Sequence, residues 1–257
     1  MKKALMFALA AAVLIGLEAS IAEVAAASPD SLAGNTLAPV NAPLRSELAA
    51  SRFVSDVDGS AALYVNPAGL AARRVSTALV HGTYWNDRLA ELTLGAAANN
   101  IGFSFMYTDD GMFTSRNYTL GLGTKLSDGL SFGSAFTWHR TSFASKRSPF
   151  SVDLGFMLRP SSSLSIAGVW KNVNSPSFSG GEAIDPFAGP MTRLEDYFVG
   201  GTSIRPFGER ITLSGQAEIA DGRKPGWLFG GRASIARGIE LFGSYARDLA
   251  WGGSDPY

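Results

Sequence analysis

The chain has no cysteine. That excludes a disulfide framework, a zinc–thiolate centre and any thiol nucleophile. It has two histidines, His81 and His139, so a metal centre would need both of them together with distant carboxylates, and no metal or other cofactor is expected. Charge is also scarce: 17% of the 257 residues are Asp, Glu, Lys or Arg, against about 25% in ordinary soluble domains. The formal net charge is zero, which removes the electrostatic footprint of a nucleic-acid binder. Beyond the first thirty residues no stretch is apolar for 18 residues, so no spanning helix is expected.

Motifs that carry chemistry are equally thin. No Gly-x-Ser-x-Gly elbow occurs. "GLGTK" at 121–125 has the glycines of a phosphate loop, but it lies inside an alternating stretch and no helix follows. Asp56 and Asp58 in "DVDG" start like a calcium loop, yet the later ligand positions are Ala62 and Tyr64, so an Asx-type turn is expected. The pair Asp109-Asp110 reads as a loop tip. No catalytic constellation emerges, and a non-enzymatic chain is expected.

What the chain does have is glycine (29 residues) and aromatics (11%). With little charge, this is the balance of a membrane β-barrel, whose apolar residues alternate with small and polar ones. The N-terminus adds an export signal: Lys2 and Lys3, an apolar run from Ala4 to Leu17, then Ala25-Ala26-Ala27. The spacing predicts a signal peptide over 1–27, with Ala22 as the second cleavage position. The run is too short for a spanning anchor, which needs about 20 residues. Cleavage removes Lys2, Lys3, Glu18 and Glu23, two charges of each sign, so the mature chain stays neutral.

Residues 28–75 are rich in Ala, Ser, Asn and Pro and show no sustained period. A short helical turn is predicted over 45–51 and a turn at "SDVDGS", 55–60. From Ser76 onward the period is two. In 116–126, Tyr118, Leu120, Leu122 and Leu126 share one face, while Asn117, Thr119, Gly121, Gly123 and Lys125 share the other. The same division runs through 129–140, 151–159, 210–220 and 227–236. Eleven strands are predicted: 76–85, 89–97, 101–107, 116–126, 129–139, 150–159, 163–171, 196–205, 210–220, 227–236 and 239–247. Most are long enough to cross a bilayer when tilted.

The connections discriminate a barrel from a sandwich. From the third strand on, long connections (108–115, 140–149, 172–195, 221–226) alternate with short ones (127–129, 160–163, 206–209, 237–238). Long loops on one rim and tight turns on the other is the outer-membrane pattern, although "NDR" at 86–88 is short where a long one belongs. Strands in lipid must close. The fold expected is therefore all-β: an antiparallel transmembrane β-barrel of 11–12 strands over 76–257, with residues 28–75 as an N-terminal plug. The odd count leaves the eleventh strand ending at the outer rim. Either the sequence is a fragment or residues 60–66 supply a twelfth strand. One face is dominated by Gly, Ala, Ser and Thr, leaving room for a plug, and His139 falls there as a polar lumen group.

One segment carries a family resemblance. "DGSAALYVNPAGLA", 58–71, resembles the hatch segment near the N-terminus of the long-chain fatty-acid transporter family of outer-membrane barrels, and of related type-IX-secretion-associated barrels. Its core matches at Asn66, Pro67, Ala68, Gly69 and Leu70. The resemblance implies a plugged barrel that handles hydrophobic small molecules, some members passing them sideways into the membrane, or else a structural envelope component. It implies the outer membrane as location, with its lipid and the barrel-assembly machinery as partners. Two further stretches, "LGLGTKLSDGLSFGSAFTWHR" and "SLSIAGVWKNVNSP", resemble the barrel-like region that precedes a signal-peptide-peptidase-type serine peptidase. That resemblance implies a catalytic module beyond residue 257, and the reading frame past Tyr257 decides it.

Overall fold

A computed structural model describes residues 53–72, 76–85, 88–109, 114–141, 150–175, 194, 196–221, 224–236 and 239–247. The expected signal peptide over 1–27, the expected helical turn over 45–51, the first part of the expected plug and residues 248–257 lie outside the described residues.

Alternation becomes extended chain throughout. The strands are β1 (Thr77–Trp85), β2 (Arg88–Ala98), β3 (Ile101–Asp109), β4 (Thr114–Lys125), β5 (Leu130–Thr141), β6 (Phe150–Ser161), β7 (Leu164–Lys171), β8 (Tyr197–Ile204), β9 (Pro206–Glu209), β10 (Ile211–Ala220), β11 (Gly226–Ala236) and β12 (Ile239–Arg247). All but β9 form one eleven-stranded antiparallel sheet in chain order. Each long strand falls within a few residues of its expected position. The hairpin joining β2 to β3 turns on Asn99 (φ 51°) and Asn100 (φ 72°). Two successive left-handed residues match the right-handed twist of flanking strands, and asparagine tolerates that conformation.

Register fixes which residues share a face. Gly123, Gly133 and Gly155 are directly opposed across β4, β5 and β6. One residue along, Leu122, Ser134, Leu154, Trp170 and Phe198 form a row on the other face. The glycine face is the covered one. Residues 53–72 lie against it as two short 3-10 turns, Gly59–Leu63 and Pro67–Ala71. The core is there: Val54, Val57, Leu63 and Leu70 pack with Met157, Val169 and Val199. The opposite face leaves its large apolar residues open, including Trp138, Leu154, Trp170, Phe198, Leu213, Trp227 and Phe229. An exception is the patch of Leu92, Phe105 and Tyr107, which is buried.

Four expectations are corrected. Residues 60–66 do not supply a strand: they carry a 3-10 turn and the lead into the next one, because Ala62 and Leu63 gain more by packing over the sheet than by extending it. Residues 206–209 are not a plain turn but the short extended piece β9, with Gly208 at φ 66° taking the bend. Asp109 is the last residue of β3 rather than a loop tip. Closure into a barrel is not present: among the described residues β1 and β12 each have one neighbour. In an eleven-stranded antiparallel sheet the first and last strands run the same way, so they cannot continue the antiparallel ladder by meeting each other.

Candidate functional site

The residues that stand out chemically lie where the segment 53–72 meets the sheet. Asn66 is central. It is extended (φ −152°, ψ 109°) and fully buried. Its Oδ1 accepts from the Ala68 amide at 3.1 Å, capping the turn that Pro67 opens. Its Nδ2 donates to the carbonyl of Val54 at 3.0 Å and to that of Phe156 at 3.1 Å. One side chain thus caps a turn, ties the segment to itself and ties it to β6. Asparagine suits this task because it carries an acceptor and two donors on a short stem.

The rest of the expected motif surrounds this anchor. Pro67 fits the first position of a helical turn, where no amide partner is lost. The Gly69 amide donates to the Asn66 carbonyl at 2.9 Å, and a Cβ on Gly69 would collide with the Val57 carbonyl. Leu70, with Leu63, occupies the space a side chain at Gly121 would need. All five expected residues, Asn66 to Leu70, are buried. The sheet side is cut to fit: a Cβ on Gly133 would run into Pro67, and one on Gly155 into Asn66 Oδ1. Both glycines permit a close backbone approach that any larger residue forbids.

Polar contacts hold the segment near its start and at Tyr64. Asp56 pairs with Arg205 and, at 3.4 Å, with Arg232. The Val54 amide donates to Gln216 Oε1 at 3.0 Å, and the Ser55 hydroxyl meets that of Ser203 at 2.7 Å. Lys171 Nζ donates to the Tyr64 carbonyl at 2.7 Å and to Asp153 at 2.8 Å. Burial pushes the Tyr64 phenol up from its usual value, so it stays a neutral donor to the Leu94 carbonyl at 3.4 Å. The turn expected over 55–60 lies earlier: it closes from the Asp56 amide to the Phe53 carbonyl at 3.0 Å, and residues 59–63 form a 3-10 turn instead. The pairing of Asp56 with two arginines almost 150 and 176 residues away had no local signal.

A second polar group bridges β4, β5 and β6. His139 Nδ1 meets Asn117 Oδ1 at 2.9 Å, and its Nε2 meets Ser151 Oγ at 2.8 Å. Hydroxyl, imidazole and amide in that order form the frame of a nucleophile relay, a grouping that sequence spacing does not suggest. Here all three residues are buried and Ser151 sits within regular β6, so no substrate approach is built around the hydroxyl. The group serves as a satisfied polar bridge on the covered face. His81 lies apart on β1, its Nε2 3.2 Å from Thr83 Oγ1. Among the described residues no cluster of three or more His, Asp or Glu side chains could hold a metal ion.

No family model, curated protein or solved structure matches the chain. The hatch resemblance therefore rests on the sequence of residues 58–71 alone.

Proposed function

We propose that the chain is the wall of an outer-membrane β-barrel plugged by residues of the 28–75 segment, which handles hydrophobic small molecules or serves as a structural component of the envelope. One observation carries this reading: the sheet is inverted. Its small and polar face is covered by the chain's own segment, while the face crowded with Trp, Phe, Leu and Ile is left open. In water such a surface would be an aggregation liability, since soluble monomers rarely expose apolar patches beyond a few hundred Å². In a bilayer the same surface is the ordinary outside of a barrel. Closure then requires a further strand antiparallel to both β1 and β12, giving the even number usual for bacterial barrels.

The plug reading draws on the same geometry. The segment 53–72 is bonded to strands far apart in sequence, from Thr77 on β1 to Gln216 on β10. It therefore spans the covered face rather than hanging from one end. The barrel-assembly machinery and outer-membrane lipid are the partners this reading requires. The experiment has two arms. Membranes from cells making the full chain are washed with alkaline carbonate, and uptake of a labelled fatty acid or aromatic hydrocarbon is compared with and without the gene. Retention in the washed membrane with reduced uptake supports passage of apolar molecules. Retention with unchanged uptake across those substrates leaves the structural role and removes the transport one. Release into the wash removes the membrane reading.

A further inference from the structure

Near its start the segment 53–72 meets β10, β11 and β12 around a small cavity. Phe53, Asp56, Thr212, Ser214, Arg232 and Phe242 line it, and its volume of about 10 Å³ leaves room for one guest of the size of a water molecule. Register brings the polar groups together. Thr212 and Ser214 stand two residues apart on β10, and Arg232 on β11 lies directly opposite Thr212. Two donors here lack an acceptor. Thr212 is 2% exposed, and neither its Oγ1 nor the buried Nε of Arg232 has a hydrogen-bond partner. A third donor stands beside them. The hydroxyls of Ser55, Ser203 and Ser214 are joined in a chain, each step 2.7 Å. Three hydroxyls with two links between them leave one proton over, and a chain directed from Ser55 to Ser214 delivers it at the cavity.

We infer that this cavity is a binding site for one monatomic anion, chloride or a heavier halide. The inference does not depend on the membrane reading above. Charge is the first argument. Arg205 and Arg232 share the single carboxylate of Asp56, so the three groups carry one positive charge in excess. Among the described residues Asp56 is the one acid in the lining, and both of its oxygens already accept, Oδ1 from Arg205 and Oδ2 from Arg232. Donor chemistry is the second argument. A guanidinium Nε–H never accepts, and a bare anion answers it and the hydroxyls at once. A water molecule would bring two further protons to a lining whose carboxylate is already engaged. Size is the third. Sulfate, phosphate and organic carboxylates need several times the space. The rings of Phe53 and Phe242 form the apolar part of the lining, where exclusion of water strengthens the attraction between ion and guanidinium. The Arg232 side chain, 30% exposed, gives the ion its way in.

The test compares the full chain with Thr212→Val, both purified in a zwitterionic detergent. Valine keeps the shape of threonine and removes the orphan donor, so the fold has no reason to change, and circular dichroism checks that it has not. Crystals grown with sodium bromide as the salt are measured at the bromine absorption edge. An anomalous peak within hydrogen-bond reach of Thr212 Oγ1 and Arg232 Nε, lost in Thr212→Val, supports the site. Density there without anomalous signal is water and overturns it, as does an empty cavity. In solution the line width of chloride-35 is read with and without protein. The excess width should fall in Thr212→Val, and excess potassium bromide should remove the same share of it from the unsubstituted chain, whereas potassium gluconate should not. Equal widths for the two proteins overturn the site even where the crystal shows a peak, because the ion then binds only at crystal concentration.

Discussion

At the scale of single residues, Asn66 concentrates the architecture. Its amide closes three bonds from a site with no water contact. Asn66→Ala should cost about 2–4 kcal/mol, combining a lost cap with two stranded carbonyls. Asn66→Asp should cost at least as much, because it keeps the acceptor but sets negative oxygen against the carbonyls of Val54 and Phe156. The midpoint of urea unfolding, read for both variants, checks this; an unchanged midpoint for Asn66→Ala would contradict it. Asp56 offers a second case. Removing it leaves Arg205, which is 8% exposed, without its counter-charge. Asp56→Ala should therefore destabilise by about 3 kcal/mol, and the additional change Arg205→Met should recover part of that loss. The outline of the motif was legible in the sequence, because Pro67 and Gly69 punctuate an apolar run wherever they occur. The partners of Asn66 and Asp56 were not, since they come from strands brought near only by the sheet.

Among the elements, strands were legible and their exceptions were not. Alternation over nine to twelve residues leaves little freedom, because a shift of one residue would turn every large side chain to the wrong face. Two left-handed asparagines fixed the β2–β3 hairpin in the same local way. Residues 60–66 misled because an apolar run has no period of its own. "ALYV" reads as a strand until Gly102 and Gly121 are seen to leave a seat for Leu63. That fit of segment to glycine is testable. Gly133→Ala places a methyl group against Pro67 and should loosen the 53–72 segment from the sheet. Gly243→Ala, where nothing lies within 4 Å, should not. Limited proteolysis near residues 50–60 reads the difference: faster cleavage in Gly133→Ala alone is expected, and equal rates in the two variants would contradict the close fit.

For the whole molecule, the division of the two faces was legible from composition and period, whereas closure was not. Parity explains the gap: eleven strands supply two edges running the same way, and no count of alternating residues reveals how those edges are satisfied. The open face also sets the cost of charge. If it meets lipid, Leu213→Arg should destabilise by about 2–4 kcal/mol near the bilayer midplane and less toward either rim. On a face that meets water, the same change would be nearly neutral and would improve solubility.

The most direct measurement places the open face in one solvent or the other. Trp138, Trp170 and Trp227 all project from it and are each nearly half exposed. With Trp85 and Trp251 replaced by Phe, these three report the face alone. The protein is refolded with phosphatidylcholine vesicles, and its fluorescence is challenged separately with acyl-brominated lipid and with aqueous acrylamide. A membrane wall predicts strong quenching by the brominated chains and weak quenching by acrylamide. Strong quenching by acrylamide, with none from the brominated lipid, would contradict it.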